Sequence, residues 1–271
     1  MKRVNKALTI LIFIFLYIPM AVLIVASFNT GKDVTRFEGF TLNQYIRLFQ
    51  DGHLLQLLGN SLVVSILASL IATVFGTVAA VGIHNLNPRL RGAVMTLTNI
   101  PMTNPDIVTG ISLSLLFVFV GSKLLGQRNS LTFGTLLIAH ITFNLPYVIL
   151  NVMPKLNQMD PALENAAMDL GCTPLQAFFK VTLHEIMPGI VSGAIMAFTM
   201  SLDDFVISYF ASGNFVTLPV KIYSYTKKPI QPKVYALFTL LFVLIFVLMV
   251  GMNLVQMRSD RKKSEAHGNG K

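Results

Sequence analysis

The feature that most constrains this chain is a series of apolar runs, each long enough to cross a lipid bilayer as a helix. A hydrocarbon core of ~30 Å takes about 20 apolar residues in helical form, because backbone amides find no partner in lipid outside their own segment. Only 12% of the 271 residues are charged, against about 25% in a soluble domain. The sequence therefore predicts an all-α polytopic membrane protein with about six spans, at residues 8–28, 60–84, 93–120, 131–150, 189–211 and 234–257 of a transmembrane domain over residues 1–257.

Basic residues flank these runs and do not gather into a patch. Lys2, Arg3 and Lys6 precede the first run, and no small-residue cleavage site follows it at a suitable distance, so we expect an uncleaved anchor. With the N-terminus inside, lysine and arginine are modestly in excess on the cytoplasmic side, which predicts both termini in the cytoplasm and a polar tail over residues 258–271. Membrane topology thus explains the formal net charge of +9, and no nucleic acid is expected as a partner.

The sequence lacks the motifs of an enzyme. It holds no G-x-x-x-x-G-K-S/T phosphate loop, so the chain is not expected to bind ATP itself, and it has neither an H-E-x-x-H nor a G-x-S-x-G motif. The single cysteine, Cys172, excludes an internal disulfide framework. The histidines are scattered, and we expect His140 to bond a neighbouring helix. The chain is therefore predicted to be non-catalytic, without cofactor or metal, and to depend on a partner for energy.

The longest predicted cytoplasmic connection, residues 151–188, carries helix start and stop signals. Asp160 can cap a helix whose first residue is proline, and that helix is expected to end at Gly171 in a left-handed conformation. Thr173 can cap a second short helix, and Pro188 is expected to close the whole loop region. We name this pair of helices on either side of Gly171 the elbow. It can press into a groove of a partner protein or lie as an amphipathic pair on lipid headgroups.

The elbow resembles the cytoplasmic coupling loop of ABC importer permeases, whose pattern is Glu-Ala-Ala, three residues and Gly. Asn165 stands at the Glu position of that pattern, directly after Glu164, and His184 stands where the family's later Leu-Pro pair has Pro. The resemblance implies that the elbow docks on an ATPase subunit through Glu164, Asn165, Ala166, Ala167, Asp169 and Gly171.

Four further segments narrow the resemblance. They lie at residues 17–19, 27–29, 201–204 and 218–224, and together they are similar to the second permease subunit of spermidine/putrescine importers. The resemblance implies a type I ABC importer permease fold and ATP-driven polyamine transport across the inner membrane. It also implies three partners in addition to membrane lipid: a homologous permease, a dimer of ATP-binding subunits and an extracytoplasmic substrate-binding protein.

Three acids, Asp106, Asp203 and Asp204, lie inside predicted spans. A carboxylate near the middle of a bilayer costs ~2.5 to 3.5 kcal/mol on insertion scales, so we expect it to face a polar cavity or a cation. At about 1.5 Å per residue, Asp106 and Asp203 both lie ~20 Å from the cytoplasmic start of their spans. Acids at one depth suit an organic polycation, because they neutralise ammonium groups as water is removed. Tyr209 and Tyr223 are candidates for stacking on an ammonium, or for anchoring at the membrane surface.

Each acid also has a structural alternative. Asn104 can cap a helix that restarts after it, which places Asp106 in a first turn where the helix dipole favours an anion. Asp203 and Asp204 point about 100° apart on a helix, so we expect one of them to face the path and prefer Asp203.

The function also has alternatives. A permease for another small organic solute would share the elbow. In an ion-coupled secondary transporter or a channel, the acids would relay protons or bind Na⁺. The elbow argues against this second alternative, because an ion-driven carrier has no use for an ATPase docking loop.

Overall fold

The computed structural model describes residues 2–31, 36–124, 126, 130–226, 232–247 and 250–251. Helices make up nearly all the regular structure of this part of the chain, and its β contact is an isolated bridge between Asn29 and Phe40. The helices are α1 Lys2–Ser27, α2 Asn43–Gln50, α3 Gly52–His84, α4 Pro88–Thr103, α5 Asp106–Phe119, α6 Phe133–Gln158, α7 Pro161–Asp169, α8 Pro174–Ala177, α9 Leu183–Asp203, α10 Val206–Ala211, α11 Leu218–Thr226 and α12 Pro232–Val247. Two π-helical turns extend this set, Val120–Leu124 after α5 and Phe178–Thr182 between α8 and α9.

Within the described residues, five helices are long and apolar enough to cross a membrane. They are Leu8–Ser27, Gly52–His84, Asp106–Lys123, Phe133–Gln158 and Pro174–Asp203. α12 is apolar but shorter, and the predicted span 234–257 continues past it into residues outside the described ones, as does the predicted tail 258–271. The predicted all-α, multi-pass class is confirmed.

The predicted span 93–120 is divided into α4 and α5. Asn104 between them has an extended backbone, with φ −80° and ψ 138°, and α5 starts directly after Pro105. Proline disfavours the helical conformation of the residue before it and has no amide to donate, so a helix ends there readily. Asp106 lies in the first turn of α5, as predicted, but the cap position belongs to Pro105 and carries no side-chain hydrogen bond.

The predicted span 189–211 differs from the structure at its start and in its interior. It begins within α9, and it is interrupted after Asp203, where Asp204 has an extended backbone and α10 follows. Pro188 lies inside α9, so the expectation that it closes the cytoplasmic loop is wrong. A proline removes only its own amide from the helix, and the carbonyl that loses its partner belongs to exposed His184.

Residues 57–224 form a compact unit in which α6 packs along α9. Glycines in α9 allow the two backbones to approach closely: a Cβ on Gly189 would lie 2.8 Å from the Asn151 carbonyl oxygen, and one on Gly193 would lie 3.2 Å from the Cα of Val148. Small residues play this part where membrane helices meet. The core beside this contact includes Ala72, Val148, Val152, Ile186 and Ala197.

Residues 1–56 and 225–271 form the second unit, and its described part includes α1, α2 and α12. An aromatic cluster joins the end of α1 to α2. The Phe28 ring stacks on Phe40 with ring centroids 5.1 Å apart and lies 5.3 Å from the Tyr45 ring.

An ion pair in the same unit links the start of α3 to α12. Asp51 Oδ1 caps α3 by accepting hydrogen bonds from the amides of His53 and Leu54, each at 3.1 Å. Lys233 Nζ donates to Asp51 Oδ2 at 2.6 Å. This hydrogen bond from an ammonium stabilises the carboxylate and holds the pKa of Asp51 below its ordinary value.

Candidate functional site

The first half of the elbow is α7, which is capped at both ends. Asp160 Oδ1 accepts a hydrogen bond from a first-turn amide at 2.9 Å. Gly171 has a φ of +88°, a left-handed conformation that side chains rarely adopt. The Gly171 amide donates to the Met168 carbonyl at 2.9 Å, and the Cys172 amide donates to the Ala167 carbonyl at 3.1 Å. These two bonds form a Schellman motif, and the predicted left-handed glycine after the helix is confirmed.

The second half of the elbow starts with a reciprocal capping box. The Gln176 amide donates to Thr173 Oγ1 at 3.4 Å, and the Thr173 amide donates to Gln176 Oε1 at 3.1 Å. Thr173 is therefore the predicted cap. α8 does not end as a separate short helix, because the π-helical turn joins it to α9 in one helical run, Pro174–Asp203. The prediction of a second independent short helix is wrong, and the elbow is a short helix set against the end of a long one.

The outer surface of the elbow is apolar and exposed. Leu170 is 87% exposed, Leu175 72% and Phe179 64%. Asn165, Ala166 and Asp169 are also exposed, whereas Ala167 is buried. Large apolar side chains exposed close together mark a surface for another molecule.

The inner surface of the elbow borders a cleft of about 620 Å³. Glu164 turns toward it and accepts a hydrogen bond from the Thr182 hydroxyl at 3.3 Å. His84, Asn85 and Arg91 contribute polar groups on the opposite side of the cleft. Asn165, which stands at the family's Glu position, is exposed and also borders the cleft, whereas the preceding residue, Glu164, is hydrogen-bonded within the chain.

A second candidate site surrounds the interruption between α9 and α10, which we name the α9–α10 junction (Asp204 and Phe205). The Asp204 carboxylate accepts hydrogen bonds from the amides of Ile207 at 3.3 Å and Ser208 at 2.8 Å. The first amides of a helix have no partner within the helix, so this acid supplies the cap that α10 needs. Asp204 is nearly buried and Asp203 is exposed.

α5 brings Asp106 to the same region. Gly110, one turn after Asp106, is buried against α10: a Cβ there would lie 3.1 Å from Phe210 and 3.5 Å from the Cα of Ile207. Asp106 itself is exposed and lies at the start of the helix that packs against α10. The three acids that the sequence singled out are therefore gathered at one place, with Asp106 and Asp203 open to the surroundings.

Aromatic rings lie beside these acids. The Phe205 ring stacks on Tyr223 with centroids 4.2 Å apart and lies 5.6 Å from the Tyr209 ring. Tyr209 is 56% exposed and Tyr223 46%. We name Phe205, Tyr209 and Tyr223 the ring cluster. Its exposed π faces and the adjacent carboxylates are the groups that hold organic ammonium ions in proteins.

His140 connects the junction to α6. Its Nδ1 lies 2.6 Å from Ser201 Oγ, and its Nε2 lies 3.0 Å from Ser208 Oγ and 3.5 Å from Asp204 Oδ2. The prediction that His140 bonds a neighbouring helix is confirmed, because the two serines belong to α9 and α10.

Sequence reasoning passed over four residues of this region. Ser201 and Ser208 flank the acid pair seven residues apart, which is about two helical turns and was a readable signal. Phe205 and Tyr147 gave no comparable signal; Tyr147, on α6, packs against the buried cluster that contains Ile207 and Ala211. In the part of the chain that the structure describes, no group of three His, Cys, Asp or Glu side chains is placed to hold a metal ion.

Helices long and apolar enough to span a membrane, an exposed elbow and a helix interrupted beside acids are together features of a membrane permease. Residues 72–264 match the family described as the binding-protein-dependent transport system inner membrane component. The chain belongs to this family, and it is accordingly a multi-pass, non-catalytic subunit of the cell membrane.

Two relatives are similar over most of their length. The putrescine transport system permease protein PotI of Escherichia coli strain K12 is 40% identical over 232 residues, which cover 84% of this chain and 82% of PotI. The spermidine/putrescine transport system permease protein PotC of Haemophilus influenzae is 36% identical over 257 residues, which cover 94% of this chain and 97% of PotC. The resemblance drawn from the sequence motifs is confirmed.

Solved structures share the fold. A bacterial ABC transporter involved in the import of the acidic polysaccharide alginate has a chain with a TM-score of 0.71, 18% identity and 94% coverage of both chains. A chain of the MetNI methionine ABC transporter has a TM-score of 0.61 and 18% identity, covering 74% of this chain and 94% of that one. At these identities the likeness concerns the fold alone.

Proposed function

We propose that this chain is one of two permease subunits that enclose the translocation path of an ATP-driven polyamine importer. The observation that carries the proposal is the grouping of Asp106 and Asp203, both exposed, beside the ring cluster. The similarity to PotI and PotC, whose names specify putrescine and spermidine, points to the same cargo.

Charge separates this cargo from others that the same fold can carry. The alginate transporter is similar in fold, and the polysaccharide named for it is acidic. The fold therefore does not determine the cargo, and the side chains along the path must. Carboxylates replace the water that an ammonium loses inside a membrane, and tyrosine faces add cation–π attraction.

The elbow is the surface that receives the ATPase subunit. Its exposed residues Leu170, Leu175 and Phe179 form an apolar contact area, and Gly171 sets the angle between its two helices. An amphipathic helix on lipid headgroups is typically rich in lysine and arginine, but residues 161–182 contain only one such residue, Lys180. This composition favours a protein groove over the lipid surface.

The proposed assembly has three kinds of partner. A homologous permease completes the path, two ATP-binding subunits dock at the elbows, and an extracytoplasmic substrate-binding protein delivers the polyamine. The elbow then lies in the cytoplasm together with both termini. Thiol labelling of Asn214→Cys from outside intact cells, and of Asn269→Cys only after permeabilisation, would agree with this topology, whereas labelling of both from one side would contradict it.

The decisive experiment removes one carboxylate at a time. Asp106→Asn and Asp203→Asn keep the shape and most hydrogen bonding of the side chain but remove its charge. Two unit charges about 4 Å apart interact by roughly 1 kcal/mol in water and roughly 4 kcal/mol at an effective dielectric near 20, so the KM for uptake should rise about tenfold or more. The rise should be larger for tricationic spermidine than for dicationic putrescine, measured with the complete importer in proteoliposomes.

Asp160→Asn is the matched control. It removes an exposed acid of the elbow but leaves a residue that caps helices equally well, so the KM should stay at its wild-type value. If Asp106→Asn and Asp203→Asn also assemble normally and transport both polyamines with wild-type KM values, the acids have no part in recognition. That result would favour a permease for an uncharged organic solute.

A further inference from the structure

We propose that His140 is a positioning residue of the translocation path. It fixes the α9–α10 junction and thereby the direction in which Asp203 and the ring cluster face. The inference rests on the proposed function for what these groups recognise, and on the structure alone for how they are held.

The imidazole ties three helices together. His140 belongs to α6 and is 2% exposed. One of its nitrogens bonds Ser201, in the last turn of α9, and the other bonds Ser208, in α10. The two serines lie on opposite sides of the interruption and are both buried. His140 is therefore a single side chain that spans the break from a neighbouring helix.

The surrounding groups decide which nitrogen carries the proton of a neutral imidazole. The Asp204 carboxylate only accepts hydrogen bonds, and it lies 3.5 Å from Nε2. A proton on Nε2 faces Ser208 and Asp204, which leaves Nδ1 to accept from the Ser201 hydroxyl at 2.6 Å. With this tautomer every member of the group has a partner, so the arrangement is specific in direction as well as in distance.

This group is built for position and not for hydrolysis. A nucleophilic serine must be open to its substrate, but Ser201 is 4% exposed and Ser208 is 1% exposed.

The path residues occupy the short segment that His140 holds. Asp203 is two residues after Ser201, and Tyr209 directly follows Ser208. The Asp204 cap fixes only the first turn of α10, because both of its amide partners lie in α10 itself. The position of α10 relative to α9 depends on a contact from outside both helices, and His140 supplies one.

The test replaces His140 in the complete importer. His140→Leu introduces an apolar side chain of similar bulk and removes both hydrogen bonds. We expect it to raise the KM for spermidine uptake about tenfold, which corresponds to the free energy of roughly one buried hydrogen bond. His140→Gln can donate from its amide and accept at its carbonyl, so it should restore most of the wild-type KM. Val148→Ala, which opens a cavity in the core on the same helix, is the control for general damage.

Two readouts separate positioning from stability. The control should lower the melting temperature at a wild-type KM, whereas His140→Leu should change the KM at a given amount of assembled protein. If His140→Leu lowers only the melting temperature, as the control does, and His140→Gln is no better than His140→Leu, the positioning role is wrong.

A third readout is independent of the cargo. On a Cys172→Ser background, an Asp203→Cys thiol should react with a water-soluble maleimide at a rate that changes severalfold when His140→Leu is added and not when Val148→Ala is added. If Asp203→Asn leaves polyamine uptake untouched but this rate still changes, the proposed cargo fails and the positioning role stands. If Asp203→Asn raises the KM but His140→Leu changes neither KM nor labelling, the positioning role fails and the proposed cargo stands.

Discussion

The elbow and the α9–α10 junction are both breaks in a helical run at which side chains cap the helices. At the elbow, each backbone group at the interruption finds its partner close by in sequence: Asp160 and Thr173 cap the two helices, and Gly171 closes the turn between them. At the junction, Asp204 supplies a similar local cap. The serines on the two sides of the break, however, are bound by His140, which lies 61 residues before Ser201 and 68 residues before Ser208 in the sequence.

This difference separates a locally encoded break from one that exists only in the folded bundle. The elbow is largely exposed, and its capping hydrogen bonds join residues a few positions apart. At the junction, His140 of α6 bonds a serine on each side of the break, so a movement of α6 relative to α9 would act on the segment that carries Asp203. The first arrangement suits a docking element, and the second suits a path that must change with the state of the transporter.

Replacing the two capping acids should produce the largest contrast. Asp204→Ala leaves two buried amides and the His140 ring without their acceptor, so the free energy of unfolding should fall by about 3 kcal/mol. Asp160→Ala removes one exposed cap, for which the expected loss is about 1 kcal/mol. Thermal unfolding of the purified protein in detergent would measure both.

The asparagine variants refine this comparison. Asp160→Asn should show no loss, because asparagine caps a helix as well as aspartate does. Asp204→Asn should fall between wild type and Asp204→Ala, since it keeps an acceptor oxygen but presents an amide to His140. Equal losses of stability for the two alanine variants would mean that the junction, like the elbow, is stabilised only by residues near it in the sequence.

The glycine of the elbow should give the next largest effect. Gly171→Val forces a β-branched residue into a left-handed conformation at a cost of about 1–3 kcal/mol. We expect polyamine uptake to fall roughly tenfold while ATP hydrolysis continues, because the strain of the left-handed valine destabilises the docked conformation of the elbow by that free energy. Uptake and hydrolysis would be measured on the same proteoliposomes.

Gly82→Val is the matched control for that substitution. Gly82 lies in α3, where a Cβ would meet no atom within 4 Å, so a valine fits without strain. Wild-type coupling in Gly171→Val, or equal losses in both variants, would show that the left-handed turn is not what couples the elbow to its partner.

The elbow could be predicted from the sequence because its hydrogen bonds join residues that are close together in the chain. The cap at Asp160, the left-handed glycine and the cap at Thr173 depend on neighbours within a few residues, so their spacing is visible in the sequence alone. The membrane class was equally accessible, because bilayer thickness fixes the length of an apolar run.

The junction was out of reach because its determinants are tertiary. Nothing in the local pattern of residues 189–211 requires α9 to stop at Asp203, and the predicted span ran straight through it. The stop depends on Asp204 capping α10 and on a histidine from α6. At Pro188 the prediction erred in the other way, because it expected a stop where the helix continues. Proline is a strong local stop signal, but α9 runs through it and packs closely on α6 at Gly189 and Gly193.

The smallest expected effect comes from a third capping acid, Asp51. It tests whether the large loss of stability expected at the junction is due to burial of the cap or to its having a partner that is distant in the sequence. Asp51 caps α3 and accepts a hydrogen bond from Lys233 of α12, which is a tertiary contact like that of His140. Its two side chains are 20% and 28% exposed, however, so water can replace the lost partner. Lys233→Gln should therefore lower the free energy of unfolding by only about 0.5–1 kcal/mol.

The pH dependence of that loss carries a definite sign. The pKa of Asp51 is lowered in the folded protein, chiefly by its hydrogen bond to Lys233, so the unfolded chain binds a proton more tightly than the folded one. The stabilisation is then fully present above the ordinary carboxyl pKa of about 3.9 and disappears as the pH falls through the folded value. Wild type and Lys233→Gln should differ in melting temperature at pH 6 and converge as the pH falls below the folded pKa of Asp51. A loss as large as that of Asp204→Ala at pH 6 would show that tertiary origin alone, without burial, makes a helix cap costly to remove.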